Sequence, residues 1–150
     1  PYSLAMLLED LGGGRPYRLL ASDVSPEVLR LAQKGGPYRE DHVRSLSPER
    51  RRRWLTERPE GLWLRRELIA KVQFFRHDLL QDPYPKELGL ITCRNVAIYF
   101  LPTVRDDVYR RLAQSLAPGG FLLLGGSEAI HRPQDLGLVR VGPSCYQRTV

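Results

Sequence analysis

The sequence has no long apolar run and little cysteine. No run approaches the roughly 20 apolar residues that a membrane-spanning helix needs, and no signal peptide is recognisable, so we expect a cytoplasmic protein without membrane insertion. Cys93 and Cys145, the only cysteines, are too few and too far apart for a zinc site or a disulfide framework. We therefore expect no bound metal.

The chain also lacks an initiator methionine, which predicts a fragment of a longer protein. Its 150 residues suffice for about one domain with a real core. A hydrophobic content of 42% and a charged content of 27% are ordinary for a globular protein. The net charge of +6, largely from arginine, favours an acidic partner, which nucleic acid, a membrane surface or an acidic protein would each provide.

The first strand-to-helix pattern places an acid where nucleotide-binding α/β folds use one. After a predicted helix over residues 3–11 that stops at Gly12-Gly13-Gly14, residues 17–22 read as a strand with Asp23 at its end. Ser25-Pro26-Glu27 then favours the start of a helix that runs to Gly35-Gly36. In such folds, an acid at this strand end accepts hydrogen bonds from ribose hydroxyls, whereas the alternative is that Asp23 only caps a turn.

Residues 38–70 read as an excursion between sheet strands, with a small helix and a β-arm. Ser47-Pro48-Glu49 predicts a helix, ERRRRWLTE, that carries the run Arg50 to Arg53. This run would bind phosphate or an acidic protein, or form a solvated helix face. No glycine-rich or aromatic stacking platform supports RNA binding.

The segment Leu90 to Phe100, LITCRNVAIYF, is the most distinctive part of the chain. Its apolar start predicts a parallel strand buried on both faces, and ligands bind beyond the carboxyl ends of such strands. Arg94 and Asn95 would then lie at that edge, with Tyr99 one turn further on. The strand at Val72 to Phe75 likewise leads to Asp78 and Leu79, which could contact the edge and the face of an adenine.

The end of the chain separates two kinds of nucleotide-binding sheet. An amphipathic helix is predicted over residues 102–116, a buried strand over 121–124, and two short strands around Gly142-Pro143. A nicotinamide-binding Rossmann domain continues with parallel β–α units. The terminal hairpin therefore indicates a methyltransferase sheet.

With these motifs together, the chain resembles the CheR family of S-adenosylmethionine-dependent methyltransferases, which esterify glutamates of chemotaxis receptors. The resemblance covers essentially all residues, and CRNVAIYF is its most specific part. The segments that carry it are PYSLAMLL at 1–8, ASDVSPEVLRLAQKGGPY at 21–38, LSPERRRRWL at 46–55, VQFFRHDLL at 72–80, CRNVAIYF at 93–100 and LAPGGFLLLGGSE at 116–128.

The resemblance implies a Rossmann-like class I methyltransferase sheet with helices on both faces, an antiparallel C-terminal hairpin, and the first strand missing. Residues 1–150 would form a partial methyltransferase domain, with the excursion at about 41–70. Without its first strand, we expect this chain alone to be marginally stable and to bind cofactor poorly. Two departures from the family, Leu88-Gly89 and Gly126, do not imply inactivity.

The implied function is methyl transfer from S-adenosylmethionine to glutamate side chains in the acidic cytoplasmic region of chemoreceptors, by a monomer that binds no nucleic acid. The resemblance assigns Tyr99 to the methyl-transfer centre. It assigns cofactor binding to Asp23, Asp78, Leu79, Arg94 and Asn95. Two alternatives remain open at this point, a methyltransferase of another substrate such as RNA and a non-catalytic module of the same fold.

Overall fold

Strand pairing divides the chain into two units. The computed structural model describes residues 1–12 and 16–149, and the units cover Pro1–Asp78 and Leu79–Val150. Each unit combines helices with one parallel strand pair and with antiparallel pairing, one antiparallel pair in the first unit and two in the second, which confirms the predicted mixed α/β class. Whether they form the single domain predicted over 1–150 stays a prediction.

The first unit is built around a parallel pair of strands. β1 (Leu19–Asp23) and β4 (Val72–Arg76) pair in parallel, with Leu19 opposite Val72 and Asp23 opposite Arg76. Between them lie an antiparallel hairpin, β2–β3, and short helices, which occupy most of the segment predicted as an excursion. The elements are α1 (Tyr2–Leu11), β1 (Leu19–Asp23), α2 (Pro26–Lys34), α3 (Glu40–Val43), α4 (Pro48–Trp54), β2 (Leu55–Arg58), β3 (Gly61–Leu64), α5 (Arg66–Ile69) and β4 (Val72–Arg76).

The second unit contains a four-stranded sheet in the order β5 (Leu88–Cys93), β6 (Leu116–Leu124), β8 (Cys145–Arg148) and β7 (Leu138–Gly142). β5 and β6 are parallel, whereas β8 runs antiparallel to both β6 and β7, so the predicted C-terminal hairpin is confirmed. The elements are β5 (Leu88–Cys93), a 3-10 turn (Ala97–Tyr99), α6 (Pro102–Ser115), β6 (Leu116–Leu124), a second 3-10 turn (Pro133–Leu136), β7 (Leu138–Gly142) and β8 (Cys145–Arg148).

The helix starts follow the predicted capping chemistry. The Ser25 hydroxyl accepts a hydrogen bond from the Val28 amide, and the Ser47 hydroxyl accepts one from the Arg50 amide, each at 3.3 Å. A proline follows each serine at the first helical position. At the end of α2, Gly35 adopts φ 68°, the left-handed conformation that glycine tolerates best. The triple-glycine stop after α1 is described only at Gly12, since Gly13 and Gly14 lie outside the described residues.

Three predicted boundaries or burial patterns are wrong. The helix predicted through Glu57 ends at Trp54, where Leu55 turns into a strand that pairs with β3. β6 begins at Leu116 instead of residue 121, because Leu116 already pairs with Leu88 of β5. The strand at Leu90 is not buried on both faces: Leu90 is 45% exposed, since β5 lies at the edge of its sheet in the described part of the chain.

Each unit has its own apolar core. In the first, side chains of α1, α5 and the strands surround Leu68, which is completely buried. In the second, one face of the sheet packs against α6 and buries Leu122, Tyr146 and Tyr109. Side chains of β1 and β4 pack in the first core, and side chains of β5 pack in the second, so these strands have fixed positions within their own units.

Leu68→Ala should destabilise the protein, because it leaves a cavity in a filled core. We expect a loss of about 2–5 kcal/mol in the free energy of unfolding, measured by urea denaturation of the intact protein. The matched control is Leu11→Ala, since Leu11 is 82% exposed and should tolerate truncation. Equal losses in both variants would contradict this description of the first core.

Candidate functional site

In the first unit, Asp23 stands at the carboxyl end of β1 and is half-buried. Its Oδ1 accepts a hydrogen bond from the Ser25 amide at 2.8 Å, so the carboxylate does cap the turn into α2. Within the described part of the chain, no other hydrogen bond reaches this side chain. Oδ2, at the strand end, therefore has no protein donor among the described residues.

Asp78 lies at the same edge as Asp23. β4 pairs in parallel with β1, and the amide of His77 donates to the Asp23 carbonyl at 3.0 Å, which extends the pairing one residue past the strand. Asp78 follows directly and is half-buried. The first unit thus brings two of the predicted site residues to one edge of its parallel strand pair.

In the second unit, Arg94, Asn95 and Tyr99 lie on the short segment that leaves the carboxyl end of β5. Arg94 and Asn95 are exposed. Asn95 has φ 58°, a left-handed conformation that costs most residues about 1–2 kcal/mol but that asparagine adopts more readily. Leu79 is half-buried and packs against the core of the same unit.

Tyr99 ends the 3-10 turn Ala97–Tyr99, and its side chain is 82% exposed. The turn itself is anchored, because Ala97 at its start is completely buried. A fixed backbone with an exposed phenol suits a residue that contacts a bound molecule.

Glu128 lies in the loop that follows β6 and binds the backbone of this segment. No role was assigned to Glu128 from the sequence alone. Its carboxylate is 4% exposed and accepts three backbone hydrogen bonds. Oε2 accepts from the amides of Asn95 at 2.6 Å and Gly125 at 2.7 Å, and Oε1 accepts from Ala97 at 2.9 Å. The sequence does contain a signal for Glu128, which is an acidic residue close to the carboxyl end of a predicted strand, as Asp23 and Asp78 are.

Gly125 allows the two strand ends to approach each other. A Cβ at this position would contact Asn95 Oδ1, and would lie 2.6 Å from Glu128 Oε2 and 2.9 Å from the Asn95 amide nitrogen. These separations are too short for any side chain. The next residue, Gly126, has open space around its Cα.

The Glu128 carboxylate also affects nearby ionisable groups. Burial raises the pKa of the Cys93 thiol to about 11, and the negative charge of Glu128 adds to this effect. The same two causes, burial first, raise the pKa of the Tyr109 phenol to about 12. Cys93 is therefore a neutral thiol at physiological pH, and the geometry gives it no nucleophilic role.

The arginine run of α4 makes ion pairs inside the first unit. Arg50 and Arg53 bind the carboxylate of Asp10 at 2.6 and 3.3 Å, and Arg51 pairs with Glu40. Of the four arginines, only Arg52 has no ion pair within the described residues. Three of the four arginines therefore already have an acidic partner within the first unit.

Residues 1–12 and 16–149 contain neither a candidate membrane span nor a metal-binding cluster. No helix there is both long and apolar enough to cross a bilayer. No cluster of three or more histidine, cysteine, aspartate or glutamate side chains there could hold a metal ion.

The predicted site residues thus fall into two groups. Asp23 and Asp78 share a strand edge in the first unit. In the second unit, Arg94, Asn95 and Tyr99 share one segment, and the half-buried Leu79 packs against the core. Sequence reasoning missed Glu128 and Gly125, which hold the second group from behind.

Comparison with known proteins gives a consistent family. The family model described as CheR methyltransferase, SAM binding domain, matches residues 1–141. The chemotaxis protein methyltransferase of Listeria monocytogenes serovar 1/2a is 39% identical over 149 residues, which cover 99% of this chain and 56% of that protein. The protein of the same name from Salmonella typhimurium is 40% identical over 136 residues, covering 85% of this chain and 47% of that protein.

Solved structures are more distant. An S-adenosylmethionine dependent methyltransferase from Mesorhizobium loti aligns with 71% of this chain and 35% of its own, at 18% identity and a TM-score of 0.43. A likeness at that level carries no argument. The chain spans about half the length of the curated relatives it matches. Since the family model covers residues 1–141 of the 150, the chain belongs to the CheR methyltransferase family, in its SAM-binding domain.

Proposed function

We propose that the protein carrying this chain transfers a methyl group from S-adenosylmethionine to glutamate side chains of chemoreceptors, giving glutamate methyl esters. The observation that carries the proposal is the match of the CheR model to residues 1–141. Relatives at 39–40% identity are named chemotaxis protein methyltransferases, which supports the same reaction class.

The strand-end residues fit the cofactor by their chemistry. Oδ2 of Asp23, with no protein donor among the described residues, suits ribose hydroxyls, and a carboxylate at this strand end is typical of nucleotide-binding sheets. Asp78 would accept a hydrogen bond from the adenine edge, with Leu79 against its face. In the second unit, Arg94 and Asn95 are proposed as further residues that bind the cofactor.

The reaction needs positioning more than proton transfer. When bound, S-adenosylmethionine supplies an electrophilic methyl group, which a glutamate carboxylate takes up while the C–S bond electrons stay on sulfur. With a reference pKa of about 4.3, the substrate glutamate is already ionised at neutral pH, so the chain needs no general base. Tyr99, exposed on a fixed turn, would donate a hydrogen bond that orients this carboxylate.

The proposed partner is the acidic, glutamate-containing cytoplasmic region of a chemoreceptor. The net charge of +6 favours encounter with an acidic surface. Because most of the α4 arginine run is already paired, steering would come from the charge of the chain as a whole. We propose that the protein acts in the cytoplasm as a monomer.

The proposal is tested by methyl transfer in the intact protein. Radiolabelled S-adenosylmethionine should label a receptor cytoplasmic fragment, and the label should be released as methanol by mild base, as an ester requires. A receptor fragment with glutamine at the acceptor positions is the matched control. Labelling of transfer RNA instead would overturn the substrate, and cofactor binding without transfer to any substrate would indicate a non-catalytic module.

Tyr99→Phe should impair turnover while leaving cofactor binding unchanged. A hydrogen bond to a charged group contributes about 1.5–3 kcal/mol, so we expect kcat to fall by about 10- to 100-fold. Calorimetric titration with S-adenosylmethionine should give the wild-type affinity. Tyr17→Phe, which removes a hydroxyl bonded to Glu9, is the control outside the proposed site. Wild-type kcat in Tyr99→Phe would exclude the proposed role.

Asp23→Asn should weaken cofactor binding while leaving kcat at saturating cofactor unchanged. It keeps the shape of the side chain but removes the charge that would hold the ribose, so we expect the dissociation constant for cofactor to rise about tenfold. At saturating cofactor, kcat should recover. Asp135→Asn, at an exposed aspartate of the second 3-10 turn, controls for the loss of one negative charge. Equal cofactor affinity in both variants would rule out Asp23 as a ligand.

A further inference from the structure

We propose that Glu128 is a positioning residue for methyl transfer, which holds Asn95 and the turn carrying Tyr99 in their working geometry. The inference rests on the proposed function, because Asn95 and Tyr99 are its proposed cofactor and substrate contacts. Glu128 itself is 4% exposed and does not contact a bound molecule directly.

The first argument is where the three hydrogen bonds fall. The Asn95 amide lies before the bend that follows β5, and the Ala97 amide lies at the start of the 3-10 turn that ends in Tyr99. One carboxylate thus binds both sides of the bend, Asn95 through Oε2 and Ala97 through Oε1. The third bond, from Gly125, ties this segment to the end of β6.

The second argument is chemical. Three N–H groups converge on the two oxygens, and no basic side chain forms an ion pair with Glu128 among the described residues. A carboxylate accepts at both oxygens, whereas a glutamine accepts at one and presents an NH₂ group at the other. The NH₂ group of a glutamine at position 128 would therefore face either the backbone N–H of Ala97 or the backbone N–H groups of Asn95 and Gly125. Two donors would then oppose each other without an acceptor between them. The site requires the carboxylate and not only the shape of the side chain.

The third argument is the close approach at Gly125. The space that a Cβ would need there is taken by Asn95 and by Oε2 of Glu128. A side chain at position 125 would push the Asn95 segment away from β6 in a variant that still has Glu128. Gly125 and Glu128 therefore offer independent ways to disturb the same segment.

The test compares Glu128→Gln, Gly125→Ala and Gly126→Ala in the intact protein. Gly126→Ala is the matched control, because it adds the same methyl group one residue away where nothing lies within 4 Å. Misplacing a reacting group by about 1 Å can cost on the order of 100-fold in rate. We expect kcat at saturating cofactor and receptor to fall by about 10- to 100-fold in the first two variants and to stay at the wild-type value in Gly126→Ala.

A purely structural role would give a different result. Rates are therefore divided by the fraction of protein that binds cofactor, measured by calorimetric stoichiometry, so that unfolded molecules do not count. If Glu128 only stabilises the fold, the normalised kcat of Glu128→Gln and Gly125→Ala equals that of wild type although their melting temperatures fall. That outcome would overturn the proposal. If Glu128→Gln does not fold, Gly125→Ala decides by the same criterion.

Amide hydrogen exchange separates this inference from the proposed function. Exchange at Asn95 and Ala97 should accelerate at least about tenfold in Glu128→Gln and remain at the wild-type rate in Gly126→Ala, whether or not the protein methylates receptors. A wild-type protein that transfers no methyl group to receptors would overturn the function. Unchanged exchange at Asn95 and Ala97, or unchanged normalised kcat in an active protein, would overturn the role of Glu128.

Discussion

The candidate site of the second unit depends on the hydrogen bonds that backbone amides donate to the buried carboxylate of Glu128. A charged group is costly to bury unless donors surround it, and here three backbone amides provide them. In return, the carboxylate satisfies amides of an irregular segment that no strand or helix would satisfy. This reciprocity holds Asn95 in a left-handed conformation and fixes the turn that carries Tyr99.

Both units follow the same architectural rule. Parallel strands bring their carboxyl ends to one edge, and polar residues placed just after those ends come together there. Asp23 and Asp78 lie at the same strand edge in the first unit by this rule, while in the second unit Glu128 accepts a hydrogen bond from the Asn95 amide. The two pairs differ in chemistry: one oxygen of Asp23 has no donor in the part of the chain that the structure describes, whereas both oxygens of Glu128 accept hydrogen bonds from the backbone.

The fold changes how the charge of the chain is understood. From the sequence, the arginines at 50–53 could bind phosphate or an acidic protein surface, although such runs more often form a solvated helix face. In the folded unit, Asp10 and Glu40 pair with three of them, and these acids lie 11 to 43 residues away in the chain. The net charge of the sequence therefore overstates how many arginines remain without an acidic neighbour and so available to a partner.

The sequence by itself determined the elements whose signals are local. These include the capped helices after Ser25 and Ser47, the C-terminal hairpin, and the family motif around Arg94-Asn95. It did not determine the exposure of Leu90, the early start of β6 at Leu116, or the end of α4 at Trp54, since each of them depends on how the strands pair with one another. Glu128 shows the same limit most clearly. Its motif is visible in the sequence, but its role depends on backbone amides 31 and 33 residues away, which only the tertiary structure brings together.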